Sequence, residues 1–124
     1  MKVKAAVGMI LILMSMVHVI YGEKMQVAEL KKLNASNLLI GSFRVMSLQG
    51  GVLLFAVGIV ELLTFFQFLT LTGFAMYIPV GIVCLNVLSV FMIAFTKHPE
   101  LIKATIPQFI IILIIISLQL LSVI

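Results

Sequence analysis

The sequence predicts an all-α integral membrane protein, with four transmembrane helices in an antiparallel bundle with short loops. Of the 124 residues, 64% are hydrophobic and only 10% are charged, whereas soluble domains contain about 25% charged residues. The apolar residues gather in four stretches that approach or exceed the roughly 20 residues a helix needs to cross a bilayer. Such stretches are too long and too continuously apolar for barrel strands, so helices are the structure that satisfies their backbone in lipid.

One domain, residues 1–124, is expected, with helices at about 5–21, 38–66, 74–96 and 100–123. The first helix is the shortest, and the preceding Lys2 and Lys4 give it the pattern of a secretory signal peptide. However, Ile20 stands where cleavage after Gly22 requires a small residue. We therefore interpret this segment as a retained helix, with cleavage as the alternative.

The connections between the predicted helices differ in character. Residues 22–36 hold five charges, and Val27, Leu30 and Leu33 recur there at helical spacing. This pattern predicts an interfacial helix at 24–33, with a solvated linker as the alternative. The connection at 67–73 is uncharged, and Pro99 in the third connection is well placed to end one helix and begin the next.

The basic residues predict an orientation. Six of the eight Lys and Arg residues lie in or beside the first and third connections, and two precede the first helix. By the positive-inside rule, the loops 22–36 and 97–103 are expected to be cytoplasmic in a multi-pass protein of the plasma or cell membrane. The N-terminal lysines favour the opposite orientation.

Each predicted helix carries a stripe of small or polar residues, which must face protein, water or a ligand because hydrocarbon excludes them. The candidates for binding or coupling are Glu61, Arg44, His18, Asn86, Gln108 and Gln119. The candidates for close helix packing are Gly8, Ser15, Gly22, Ser47, Gly51 and Gly58. The simplest interpretation is that these stripes form the bundle interior, and the alternative is a binding site or a pathway.

Glu61 is the sharpest single candidate, because it is the only acidic residue inside an apolar run. An open carboxylate at this position suits proton coupling or cation binding. The alternative is a structural Glu61 that pairs with Lys2 or Lys4 near the membrane surface.

The sequence gives little support for catalysis, for a metal or cofactor site, or for nucleic-acid binding. The chain has no Asp, which excludes a Ser-His-Asp triad, and no enzyme activity is expected. No metal site is predicted, and a b-type haem held by His18 and His98 is the one cofactor alternative. The net charge of +4 comes from residues at helix margins, so no nucleic-acid partner is expected.

The short connections leave no room for a soluble domain. We therefore expect an accessory or assembly subunit of a larger membrane complex, whose partners are the lipid bilayer and other membrane subunits or further copies of itself. The alternative is a small proton- or cation-coupled transporter or channel that acts as a homo-oligomer, with Glu61 as the coupling residue. Whether Glu61 is paired or open distinguishes the two.

Overall fold

The computed structural model describes residues 2–124, and this part of the chain is all-helical. Its helices are α1 (Lys2–Tyr21), α2 (Ala28–Lys32), α3 (Asn37–Phe65), α4 (Ile78–Thr96) and α5 (Glu100–Val123). A π-helical segment, Gly22–Val27, joins α1 to α2, and a 3-10 segment, Gly73–Tyr77, precedes α4. Four helices, counting α1 together with its continuation to Lys32, are long and apolar enough to cross a membrane. The prediction of four long apolar helices is thereby confirmed.

Helix α1 continues into the first charged connection, where the sequence suggested a separate helix at 24–33. The contacts of the π-helical segment with α3 explain the continuity. A Cβ on Gly22 would lie 2.5 Å from Ser47 Oγ, so glycine lets the two backbones stay close. The next residue, Glu23, accepts a hydrogen bond of 2.9 Å from Arg44 Nε and a second one from Arg44 Nη2. The chain is therefore held against α3 beyond the end of α1.

The ends of the helices follow from capping chemistry. Ser36 Oγ accepts a 3.2 Å hydrogen bond from the Leu39 N–H at the start of α3, which satisfies one of the free donors of the first turn. Asn34 after α2 and Gln67 after α3 adopt left-handed backbone angles, with φ of 56° and 63°. The Phe68 N–H then donates to the Leu63 carbonyl at 3.0 Å, as in a Schellman motif.

The helices pack as two pairs. Within the first pair, α1 and α3 run in opposite directions, because Gly8 faces Gly58 while Gly22 faces Ser47. Within the second pair, α4 and α5 are joined by the stacked rings of Phe91 and Phe109, whose centroids lie 4.5 Å apart. The pairs meet mainly through α1 and α5, and contact between α3 and α4 is sparse. The shared core consists of Val7, Leu11, Leu54, Val57, Val83 and Ile115.

The outer surface of the helices is apolar. Large hydrophobic side chains are exposed along all four long helices, and in α5 only Ile115 and Gln119 are buried. A monomeric soluble protein rarely exposes such a continuous apolar surface. Together with their length, it suggests a multi-pass membrane protein.

Candidate functional site

A seam of glycine and serine joins α1 to α3 along its length. A Cβ on Gly8 would lie 2.8 Å from the Gly58 carbonyl oxygen, and one on Gly58 would lie 2.9 Å from the Gly8 oxygen. Further along, a Cβ on Gly51 would lie 3.3 Å from the Ser15 oxygen. Together with Gly22 and Ser47, all six residues singled out for close packing lie in this contact. The seam has no space for a pathway, because backbone meets backbone.

The Glu61 cluster, defined as Lys4, Glu61 and Gln119, lies at one end of the helices. Glu61 is 3% exposed, and Gln119 Nε2 donates a 2.8 Å hydrogen bond to its Oε1. Lys4 Nζ lies 3.6 Å from Glu61 Oε2. Each carboxylate oxygen therefore has a partner, and these partners come from α5 and α1. The structure brings together Glu61 and Gln119 of the predicted candidates and adds Lys4, which the sequence offered as one of two partners.

One polar atom of the Glu61 cluster, the amide oxygen of Gln119, is left without a hydrogen-bond partner in the described part of the chain. Gln119 is 1% exposed, and its Oε1 has no hydrogen-bond partner among residues 2–124. A hollow of about 470 Å³ opens beside Lys4, and its polar lining comes from Thr64, Gln67, Thr70 and Ser122. The Lys4 side chain is consequently 20% exposed, while that of Glu61 is only 4% exposed. The cluster is thus a buried carboxylate whose cation reaches the surface.

A second feature, here called the inter-pair cavity, lies between the α1–α3 pair and the α4–α5 pair. Its volume is about 320 Å³, and most of its lining is aliphatic. Three of the predicted site residues, His18, Asn86 and Gln108, line it together with Thr105 and Gly50. The cavity therefore gathers polar groups from α1, α4 and α5 into an apolar space.

The polar groups of the inter-pair cavity differ in whether they have a hydrogen-bond partner within the protein. Thr105 Oγ1 donates to the Leu101 carbonyl at 2.6 Å, within its own helix. The side chains of His18, Asn86 and Gln108 make no hydrogen bond to another residue in the part of the chain described. Gln108 is exposed and His18 and Asn86 are half-buried, so these groups are available to a ligand.

Arg44 and His98 lie away from both features. Arg44 forms an exposed ion pair with Glu23, which the sequence did not single out as its partner. His98 lies in the turn before α5, where its Nδ1 is 3.1 Å from Glu100 Oε1. His98 does not line the cavity that contains His18, so the structure does not bring the two suggested haem ligands to one site. Within residues 2–124, no group of three or more His, Cys, Asp or Glu side chains could hold a metal ion.

One polar residue that the sequence interpretation overlooked is Gln49. It lies near the middle of α3, is exposed, and has no hydrogen bond to another described residue. Its position inside an apolar run, on a different face from the glycine seam, was a signal available in the sequence. That Thr105 and Gly50 line a cavity could not be predicted from the sequence, because the cavity depends on the distance between the helix pairs.

Comparisons of this chain with protein-family models, with curated proteins and with solved structures found no match. The features that bear on function are the Glu61 cluster, the inter-pair cavity and the outer surface.

Proposed function

We propose that the four long helices cross a membrane in alternating directions as an antiparallel bundle, and that the chain is an accessory or assembly subunit of a larger membrane complex. The observation that supports a role as a subunit is the outward position of Gln49. This residue stands on an outward-facing stripe of α3, here called the outer α3 stripe, which contains Gly41, Val45, Gln49, Val52 and Ala56. At 100° per residue these five positions fall within one face of the helix.

The position of Gln49 makes lipid a poor neighbour. α3 is 29 residues long, or about 44 Å at 1.5 Å per residue, and Gln49 is its thirteenth residue. An amide without a hydrogen-bond partner in hydrocarbon costs several kcal/mol, roughly 2–7 depending on the reference state. A neighbouring polar side chain on another transmembrane helix would remove that cost.

The rest of the stripe favours a close neighbour. Gly41 and Ala56 flank Gln49 and are exposed, and a Cβ on Gly41 would have no atom within 4 Å. Small residues allow a second helix to approach the α3 backbone closely. Because the glycine seam lies on the opposite side, against α1, a neighbour on the outer α3 stripe would be a different chain.

The coupled-transport alternative is less well supported by the geometry. It requires a Glu61 that releases one cation or proton and accepts another. Lys4 and Gln119 already engage the two carboxylate oxygens, and the glycine seam beside Glu61 is closed. The arrangement favours a structural carboxylate that connects α1, α3 and α5.

The orientation we propose keeps the loops 22–36 and 97–103 on the cytoplasmic side of the plasma or cell membrane. In support, α5 begins about 28 Å along its axis from Gln119, so its first residues lie at the end opposite to the Glu61 cluster. Six of the eight basic residues are then at one end. Impermeant thiol labelling of single cysteines placed in each loop, in a Cys84→Ser background, measures this orientation.

The test of the subunit proposal is photocrosslinking in native membranes. A photoreactive amino acid at Val52, on the outer α3 stripe, should give a crosslinked species of defined mass that contains a second polypeptide. The same amino acid at Leu113, which is 60% exposed on α5, is the control and should give only lipid adducts. Gln49→Leu should reduce the crosslink from Val52, because the replacement removes the polar contact.

The identity of the crosslinked chain separates the outcomes. A different membrane subunit supports the proposal, and a second copy of this chain supports self-association through the same stripe. Equal lipid labelling from Val52 and Leu113, with no polypeptide attached, contradicts the proposal.

A further inference from the structure

The inter-pair cavity has no role in a purely structural subunit. It lies between the helix pairs, whereas the outer α3 stripe faces outward, so the two features are independent. Its volume of about 320 Å³ falls at the small end of the roughly 300–1,000 Å³ typical of ligand pockets. We propose that the inter-pair cavity binds a neutral amphipathic lipid, with an uncharged hydroxyl or carbonyl head and an apolar tail.

The chemistry of the lining selects an uncharged head. No Lys, Arg, Asp or Glu residue lines the cavity. The unpaired amides of Asn86 and Gln108 each offer donors and an acceptor, and His18 adds a ring nitrogen. The amide N–H groups can donate to a hydroxyl or a carbonyl oxygen, and a hydroxyl can also donate to an amide oxygen. A carboxylate or phosphate would bring a charge that no neighbouring cation compensates, at a large desolvation cost.

The polar residues of the cavity lie at different depths along the helices. His18 and Thr105 lie towards the end of the helices where Arg44 pairs with Glu23, and aliphatic residues such as Ile10 and Ile112 lie farther inward. The distance from His18 to Ile10 along α1 is about 12 Å. Asn86 lies five residues along α4 from Phe91, or about 8 Å farther inward than the level where Phe91 stacks on Phe109. The polar groups therefore extend from the charged end of the helices to the middle of the cavity, and the lipid head would lie among them.

The cavity also has an entrance from the side. Leu13 and Val17 of α1 and Ile111 of α5 line it, yet they are 60%, 63% and 41% exposed. These residues form an apolar border between the cavity and the outer surface of the helices. A lipid can therefore enter sideways, and a tail longer than the cavity can remain in the membrane.

The experiment uses the purified full-length chain in phosphatidylcholine vesicles and four photoreactive probes. Two are neutral, a diacylglycerol and an isoprenyl benzoquinone, each with a diazirine in its tail. Two are controls whose heads carry charged groups, a fatty acid and a zwitterionic phosphatidylcholine, each with a diazirine in an acyl tail. The neutral probe that fits should saturably label the peptides of α1, α4 and α5 that line the cavity, and about tenfold more than either control.

Two variants test whether labelling depends on the cavity. Replacing both Asn86 and Gln108 by leucine should lower the labelling about tenfold, because the head loses its hydrogen bonds. Gln26→Leu is the matched control, an exposed amide that does not line the cavity, and it should label as the wild type does. Val87→Phe fills the cavity without changing its polarity and should also abolish labelling, with circular dichroism and elution volume reporting that it folds.

Saturable labelling by one neutral probe supports the proposal and identifies the head as a glycerol hydroxyl or a ring carbonyl. The proposal is overturned if neither neutral probe labels the cavity or if the two controls label it equally. Unchanged labelling of a folded Val87→Phe protein also overturns it.

Discussion

Replacing Lys4 by methionine should destabilise the protein strongly, because Glu61 would lose its only cation among the described residues. The Glu61 side chain is 4% exposed, and its Oε2 lies 3.6 Å from Lys4 Nζ. At an effective dielectric constant of about 20, that separation corresponds to an attraction of about 5 kcal/mol. Breaking a buried pair costs about 3–5 kcal/mol. Because Lys4 is one-fifth exposed and Gln119 still donates to Glu61, we expect about 3 kcal/mol.

The assay is reversible unfolding of the purified protein in mixed micelles with increasing dodecyl sulfate, followed by circular dichroism. Lys2→Met is the matched control, because Lys2 is exposed, and it should change the free energy of unfolding by less than about 0.5 kcal/mol. The double variant Lys4→Met/Glu61→Gln removes both charges and should recover about 2 kcal/mol of the loss. A Lys4→Met protein as stable as the wild type would refute the reasoning, since Glu61 would then be stabilised without Lys4.

Four further substitutions can be tested in the same unfolding assay. Gly8→Val should lower the free energy of unfolding by several kcal/mol, because its Cβ would lie 2.8 Å from a carbonyl oxygen of α3. Gly81→Ala should instead stabilise α4 by up to about 1 kcal/mol, since nothing lies within 4 Å of the added Cβ. Gln67→Gly should stabilise the protein by about 1 kcal/mol, because φ is +63° there; no gain would mean that the turn carries no strain. Arg44→Gln breaks the exposed pair with Glu23 and should matter less than Lys4→Met, with an effect that shrinks as salt is added.

The number and nature of the helices were predictable, because the length of an apolar run and the exclusion of unpaired backbone from lipid depend on the sequence alone. The depth of Glu61 and Gln119 was also accessible from helix length. Their hydrogen bond was not, because it depends on the rotation of α5 about its axis, which no local pattern sets. The pairing of Glu61 with Lys4 instead of Lys2 was not predictable either, because it also depends on how the helices are rotated.

The partner of Arg44 shows a second limit. Glu23 meets Arg44 because the π-helical segment Gly22–Val27 keeps the chain helical past the end of α1. A π-helical turn shifts the faces of the residues after it by about one position. Helical periodicity counted at 3.6 residues per turn therefore cannot place Glu23. The inter-pair cavity was equally inaccessible, because it depends on how far apart two helix pairs lie.

The contact of Gly8 with Gly58 has a thermal consequence. In a soluble core, helix packing removes apolar surface from water, and the resulting heat-capacity change curves the dependence of stability on temperature. Within a bilayer, the same contact removes surface from lipid chains and gains its energy from van der Waals contact and weak Cα–H···O interactions. The separation of α1 from α3 should therefore carry little heat-capacity change, and cooling should not loosen this pair as it loosens a water-driven core.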